Sequence, residues 1–328
     1  MKFHIISVVW GRAYVDFFLL VTLPNQLSTG NLAAFTAGNT TYKIYTDEQD
    51  AIVIRASEAF RRLSSLLKTE IIIIDHLQHD YKYTRMTLCH KLAIHDAYHD
   101  NARVVLLPPD VIYAENSFAH LFNVAQSGKP VVLMAAPRVQ RESFIPAAVE
   151  MFCDQPTGTI SGSSRGLMQL VMSHFHPVSV SNFYNTPDAN LWPSQLYFDV
   201  PGSGFIAHCF HLHPLMFIPR SPNTTFEGTV DADYLLNAYQ DVSDIHILDD
   251  SDQFLAVEPC DTSYKSARSS SGYEFFRLIE WIQRNTDSHH RKFVTHPIMF
   301  HYTDVSLEWD RVEETATMAL SMMMKYVH

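Results

Sequence analysis

Cysteine is scarce in this sequence and follows no pattern. The 328 residues contain four, at Cys89, Cys153, Cys209 and Cys260, with no CxxC pair among them. That excludes a disulfide framework and a zinc-ribbon spacing, and it makes a reducing, cytoplasmic setting the expectation. Positive charge is short as well: 24 Lys and Arg stand against 35 Asp and Glu, a net charge of −11. A general nucleic-acid binder needs clustered cations to neutralise phosphates, so no nucleic-acid partner is expected; a single nucleotide held at one local site is still allowed. No apolar run approaches the roughly 20 residues of a membrane span. The N-terminal run Phe3-His4-Ile5-Ile6-Ser7-Val8-Val9 lacks a small-residue cleavage site and reads as a buried strand, not a signal peptide. Two motifs are missing too. Without a GxGxxG fingerprint or a GxxxxGK[ST] phosphate loop, the usual dehydrogenase and P-loop readings lose their main support.

What is present is core material in an alternating arrangement. A composition of 47% hydrophobic and 18% charged residues suits a substantial core. Within residues 1–136, strands are expected at 3–9, 41–45, 71–74, 103–107 and 131–135. Helices are expected between them at 13–27, 51–67, 83–98 and 117–126. Strands that are apolar throughout belong in a sheet covered on both faces, and the strand–helix–strand spacing requires right-handed crossovers and mostly parallel pairing. The fold class is therefore α/β, an open, twisted, mostly parallel sheet flanked by helices. Its central strand ends at Leu107-Pro108-Pro109-Asp110. After Pro137 the pattern loosens into a mixed α+β half. Strands are expected at 196–200 and 205–210 around the turn Pro201-Gly202-Ser203-Gly204, and again at 245–248. Helices are expected near 164–175, 231–239, 274–284 and 308–326.

Ligands of open α/β sheets sit at the carboxyl ends of the strands. Here those ends are Trp10-Gly11, Thr46-Asp47, Asp75-His76, Pro109-Asp110 and Ala136-Pro137. Asp110 follows two prolines that set the exit direction of the chain, and a carboxylate there can hold a divalent cation against phosphate oxygens. The bland reading is a helix cap, although the next helix is expected to start near Asn116-Ser117. Asp231 and Asp233 stand at an expected helix start beside Gly228. They suit either the helix dipole and cap or a general base that deprotonates a hydroxyl. His208, Cys209, His211 and His213 offer soft ligands but more often serve packing before a proline. His301 ends a short apolar run and suits either a metal or phosphate site or a surface position. Asp249-Asp250-Ser251-Asp252 lacks the EF-hand glycine and terminal glutamate and reads as a solvated turn.

In this order the features resemble glycosyltransferases of the GT-A fold. Such enzymes begin with an alternating nucleotide-binding half. An acidic motif, commonly Asp-x-Asp, ends the fourth strand, and a glycine-containing loop, an acidic helix start and a C-terminal histidine follow. The matching positions are Asp110, Gly202-Ser203-Gly204, Asp231 to Asp233, and His301. A closer likeness is to a group of bacterial glycosyltransferase-like proteins. It is carried by Val9-Trp10-Gly11, Leu23-Pro24 through Gly30-Asn31-Leu32, Pro109-Asp110-Val111-Ile112, His211-Leu212-His213-Pro214 and Asp250-Ser251-Asp252-Gln253-Phe254. This chain departs from the pattern in having one aspartate at Pro108-Pro109-Asp110 where the motif usually has two.

The resemblance implies a GT-A-like domain with a nucleotide-binding half at 1–136 and an acceptor-binding half with C-terminal helices at 137–328. It implies transfer of a sugar from a nucleotide-sugar donor to a glycan or other hydroxyl acceptor, in the synthesis of bacterial surface glycans or glycoconjugates. Donor contacts would come from Trp10, Gly11, Thr46, Asp75, Arg85 and Asp110. A divalent cation, Mn²⁺ or Mg²⁺, would be held by Asp110 and His301, and Asp233 or Asp231 would be the base of an inverting displacement. The single aspartate leaves a metal-independent enzyme open, with Arg85, Lys91 or Arg138 neutralising the leaving diphosphate. Two rivals stay open: a nucleotidyltransferase-like enzyme, and a non-catalytic GT-A-like protein that binds a nucleotide or glycan through aromatics such as Tyr81, Tyr83 and Tyr113. The Met-rich stretch at 318–324 suits a homodimer face or a core helix.

Overall fold

The apolar N-terminal run forms the strand Lys2–Val8. A computed structural model of the chain describes residues 1–77, 79, 81–154, 157–184, 186, 189, 194–223, 230, 234–264 and 275–327. Two compact units emerge, each assembled from separated stretches. One comprises Met1–Met134, Phe152–Ser161 and His213–Ile247; the other comprises Ala135–Met151, Gly162–Leu212 and Leu248–His328.

The first unit is built on a seven-strand, largely parallel sheet. From one edge the order is Lys68–Ile73, Asn39–Thr46, Lys2–Val8, Arg103–Leu106, His213–Phe217, Val131–Met134 and Ile245–Ile247. Arg103–Leu106 is the central strand, as expected, and all four of its residues are buried. His213–Phe217 runs antiparallel to both neighbours, and its register shifts between Pro214 and Met216. Proline has no N–H to give a ladder, so an irregularity at that point is its usual consequence. This strand has no counterpart in the sequence expectations, where its His-Pro start stood among the candidate metal ligands. On one side of the sheet Phe3, Phe35, Phe118 and Phe122 pack as a buried aromatic group, with Phe3 and Phe35 centroids 5.1 Å apart.

Two long helices expected from periodicity are divided. The first becomes Arg12–Phe17, a π-helical turn over Phe18–Thr22, and Leu23–Gln26. Pro24 cannot donate to the carbonyl four residues back, and the chain widens so that Leu23 N–H reaches the Phe18 carbonyl instead. The second becomes Glu48–Ala56 and Glu58–Leu66, separated by Ser57 in an extended conformation; Ser57 Oγ accepts from Phe60 N–H at 3.1 Å. A hydroxyl that caps a new helix start competes with helix continuation.

In the second unit, Gln195–Val200, Gly204–Cys209 and Pro297–His301 make a three-strand antiparallel sheet. The helices Phe275–Asn285 and Leu307–Met324 pack on it through Leu196, Phe198, Leu278, Ile282, Leu320 and Met323. The Met-rich tail is thereby split: Met323 is buried, whereas Met318 and Met322 face outward. Among the described residues no helix is long and apolar enough to cross a membrane.

Candidate functional site

The strand order of the first unit reverses at Lys2–Val8. The next two strands step to one side of it, and Arg103–Leu106 lies on the other. Such a reversal is where open α/β sheets bind ligands, at the carboxyl ends of the two central strands. Trp10 and Gly11 leave one of these ends, and Leu107 to Asp110 leave the other. Gly11 has a φ of 84°, which side-chain-bearing residues rarely adopt, and its N–H donates to Asp50 Oδ2 at 2.7 Å.

Four of the expected donor residues lie around this edge with different degrees of freedom. Trp10 is half-buried, with the Arg85 guanidinium 4.9 Å from its ring centre. Arg85 is itself buried. It donates to both carboxylate oxygens of Asp47 and to the carbonyls of Leu77 (2.8 Å) and Ile74 (3.1 Å). Its charge is thus matched inside the protein, and its work is to tie the ends of Asn39–Thr46 and Lys68–Ile73 together behind the indole. Thr46 is wholly buried, with no hydrogen-bond partner for its hydroxyl. Asp75 is exposed and accepts from Glu48 N–H at 2.9 Å, in the first turn of Glu48–Ala56, where a negative charge is favoured.

Asp110 is half-buried in a turn that is held from both sides. On its N-terminal side, Leu107 N–H donates to the Ile6 carbonyl (2.9 Å), and Ser7 Oγ donates to the Leu107 carbonyl (2.9 Å). Ser7 also meets Tyr42 Oη at 2.7 Å, and Tyr42 reaches Gln26 at 2.7 Å. On its C-terminal side, Asn25 Nδ2 donates to the carbonyls of Tyr113 and Ile160, both at 2.9 Å, while Asn25 Oδ1 accepts from Tyr113 N–H at 2.7 Å. Asn31 does the same one step further on, donating to the Ala114 carbonyl (3.1 Å) and accepting from Phe118 N–H (3.1 Å). Both asparagines are wholly buried. Gly30 packs so tightly on Asn116 that a β-carbon would come within 2.0 Å of Asn116 Oδ1. The two sequence stretches around 23–32 and 109–118 are therefore the two sides of one clamp.

A second group of chemical interest lies in the second unit. His301 closes the strand Pro297–His301 opposite Gly204. Its Nδ1 donates to the Thr303 carbonyl at 2.8 Å, and Nε2 faces Asp250 Oδ1 at 3.0 Å and Asp252 Oδ2 at 3.9 Å. Buried Ser251, between the two aspartates, accepts from His301 N–H at 3.0 Å and donates its own N–H to the Met299 carbonyl. The hydrogen bond to Asp250 raises the His301 pKa, and the same bond holds the Asp250 carboxyl below its usual range. A carbonyl can only accept, so Nδ1 carries a proton and the Nε2 lone pair, if unprotonated, would face two carboxylates. A second proton or a cation relieves that repulsion. Ligand atoms of Asp250, Asp252 and His301 lie within 4.8 Å of one another, so the group could hold a metal. One imidazole and two carboxylates suit Mn²⁺ better than Mg²⁺, which prefers oxygen alone. A bound cation would supply positive charge for an anionic oxygen. In this structure Arg165 occupies Asp252 through Nε and Nη2 (2.8 Å), and its Nη1 reaches Asp304 at 2.7 Å.

The expectation for the acidic turn is thus corrected: it is pinned to a strand by buried Ser251 and gathers on His301. Among the described residues this is the single convergent His, Cys, Asp or Glu group of three or more, and Asp110 is not in it. Nor are the expected soft ligands: buried His208 bonds to the Val294 carbonyl at 2.8 Å, and His211 packs on His290 with ring centres 4.3 Å apart. An Asp-x-Asp spacing was visible at Asp250 and Asp252, but no local signal links it to a histidine so far along the chain. Of the other expected cations, Arg138 pairs with Glu258 at 2.9 Å, and Lys91 lies half-buried on the helix Lys82–His99. Asp231 and Asp233 lie outside the described residues.

No protein-family model matches the chain, and no curated protein matches it. The solved structures similar to this chain include two transferases. Mouse xyloside xylosyltransferase 1, in its apo form, is 16% identical with a TM-score of 0.29, over 48% of this chain and 60% of that one. The chain thus spans less than two thirds of that protein's length. Mannose-1-phosphate geranyltransferase from Thermus thermophilus is 10% identical with a TM-score of 0.28, over 96% of this chain and 67% of that one.

Proposed function

We propose that this protein is a transferase that binds a nucleotide sugar at the strand-order reversal of its first unit and moves the sugar to a hydroxyl acceptor. The observation that carries this reading is the reversal itself, with Trp10, Gly11 and a rigidly held Asp110 at its two strand ends. The indole offers an aromatic face to a nucleoside, the glycine lets the backbone approach, and Asp110 stands toward the polar part of the donor. Asp250, Asp252 and His301 are the residues we assign to a divalent cation. Asp233, or Asp231, keeps on sequence grounds the role of base. It takes the acceptor hydroxyl proton as that oxygen attacks the anomeric carbon, and the bond to the diphosphate breaks with its electrons leaving on the diphosphate.

Thermal-shift measurements with nucleotide sugars, with and without Mn²⁺, test the reading. One nucleotide class at about 100 times its Kd is expected to raise the melting temperature by roughly 4–8 °C. Asp110→Ala is expected to abolish most of that rise and Asp233→Ala to abolish transfer while sparing the shift. If no nucleotide sugar shifts the protein under either condition, a non-catalytic partner-binding role takes its place.

A further inference from the structure

Of the cations expected to meet the donor phosphates, Arg85 is saturated by its own protein, which raises the question of what else at that edge carries positive charge. Lys82 opens the helix Lys82–His99, the crossover from Lys68–Ile73 to Arg103–Leu106. A helix that follows a parallel strand begins at the carboxyl edge of the sheet, so Lys82 stands on the ligand side. Tyr14, on the helix Arg12–Phe17 that follows Gly11, stands there for the same reason.

These two side chains meet. Lys82 Nζ donates to Tyr14 Oη at 3.1 Å and lies 5.5 Å from the centre of the Tyr14 ring and 5.1 Å from that of Tyr83. The contrast with its neighbours is chemical: Arg12 is paired with Asp16 at 2.7 Å and Arg85 with Asp47, whereas Lys82 is held by a neutral phenol and two aromatic faces. Those partners orient the ammonium without cancelling its charge. An ammonium has three N–H donors, and the phenol takes one. The bond to Tyr14 also raises the lysine pKa, with a smaller push from the field of Asp110. Lys82 therefore stays charged, and Asp110 is close enough to be felt.

We propose that Lys82, oriented by Tyr14 and Tyr83, is the phosphate-binding cation of the ligand site, and that the ligand there is a nucleoside carrying a diphosphate. This assignment rests on the nucleotide-sugar reading above, and it goes beyond that reading in giving the phosphate contact to Lys82 rather than Arg85.

Calorimetric titration of the full chain with UDP, GDP, ADP and CDP, and with the corresponding nucleosides, tests it. We expect one diphosphate to bind, Lys82→Met to weaken it roughly 10- to 100-fold, and the matching nucleoside to bind both proteins alike. Lys82→Arg should recover part of the loss, and binding to the parent protein should weaken with salt more steeply than binding to Lys82→Met. Because Lys82 is exposed, Lys82→Met should melt with the parent protein, which separates lost contact from lost fold. Diphosphate affinity unchanged in Lys82→Met overturns this assignment and leaves the nucleotide-sugar reading standing. Failure of the parent protein to bind any of the four diphosphates overturns both.

Discussion

Gly204 is the residue on which the His301 strand depends most directly. Its φ is 147°, and a β-carbon would fall 2.0 Å from the Phe300 carbonyl oxygen. The turn it closes also lends the Ser203 carbonyl to Tyr302 N–H at 3.0 Å. Gly204→Ala should therefore cost about 2–4 kcal/mol, read as a fall in the denaturation midpoint. A variant as stable as the parent would show that the strand does not need this close approach. The two cations Arg85 and Lys82 teach the same lesson at this scale. Both stand in the sequence near an expected helix start, yet one is taken by a carboxylate and the other by a phenol. The difference is Asp47 against Tyr14, and no spacing rule joins residues that far apart.

At the scale of elements, the turn bearing Asp110 is rigid because the segment 23–32 grips the segment 112–118. Each buried asparagine bonds to backbone on both sides of its amide, so replacing it by alanine leaves several buried donors and acceptors unpaired. Asn25→Ala is expected to cost about 2–4 kcal/mol and to raise amide exchange across 112–118 more than in the sheet. Uniform exchange changes would mean that the clamp is not a local device. The sequence singled these segments out only through the expected resemblance, in which Leu23-Pro24 and Gly30-Asn31-Leu32 took part. It did not show their partner. Element breaks were legible in part: Pro24 and Ser57 are recognisable punctuation, but neither residue type by itself requires a helix to end.

For the whole molecule, acid is the expected weakness. His4 and His208, one in each unit, are buried, and burial lowers the pKa of both. Each is neutral in the folded chain while the unfolded chain takes up a proton near pH 6.5. Their contribution is thus complete above about pH 6.5 and is lost as pH falls toward and through the lowered folded values. Each histidine can tilt the unfolding free energy by up to about 1.4 kcal/mol per pH unit in that window. Denaturation midpoints measured from pH 7.5 to 5 should fall, and His208→Gln should flatten part of the fall. An unchanged slope in that variant would remove His208 from the account. His301 acts in the opposite sense: Asp250 raises its pKa, so its share is present below about pH 6.5 and fades as pH rises through the raised value.

Periodicity, composition and turn residues act over a few positions, and they account for what could be read without coordinates: the α/β class, five parallel strands and the central place of 103–107. The turn at 201–204 and the helices at 274–284 and 308–326 were legible for the same reason. Three features depend on chain closure instead. His213–Phe217 is inserted between Arg103–Leu106 and Val131–Met134, Asp250 and Asp252 gather on His301, and Arg85 is taken by Asp47 while Lys82 meets Tyr14. Each is a contact between residues distant in the chain, and the energy that selects it comes from burial and charge pairing that exist only once the chain has folded.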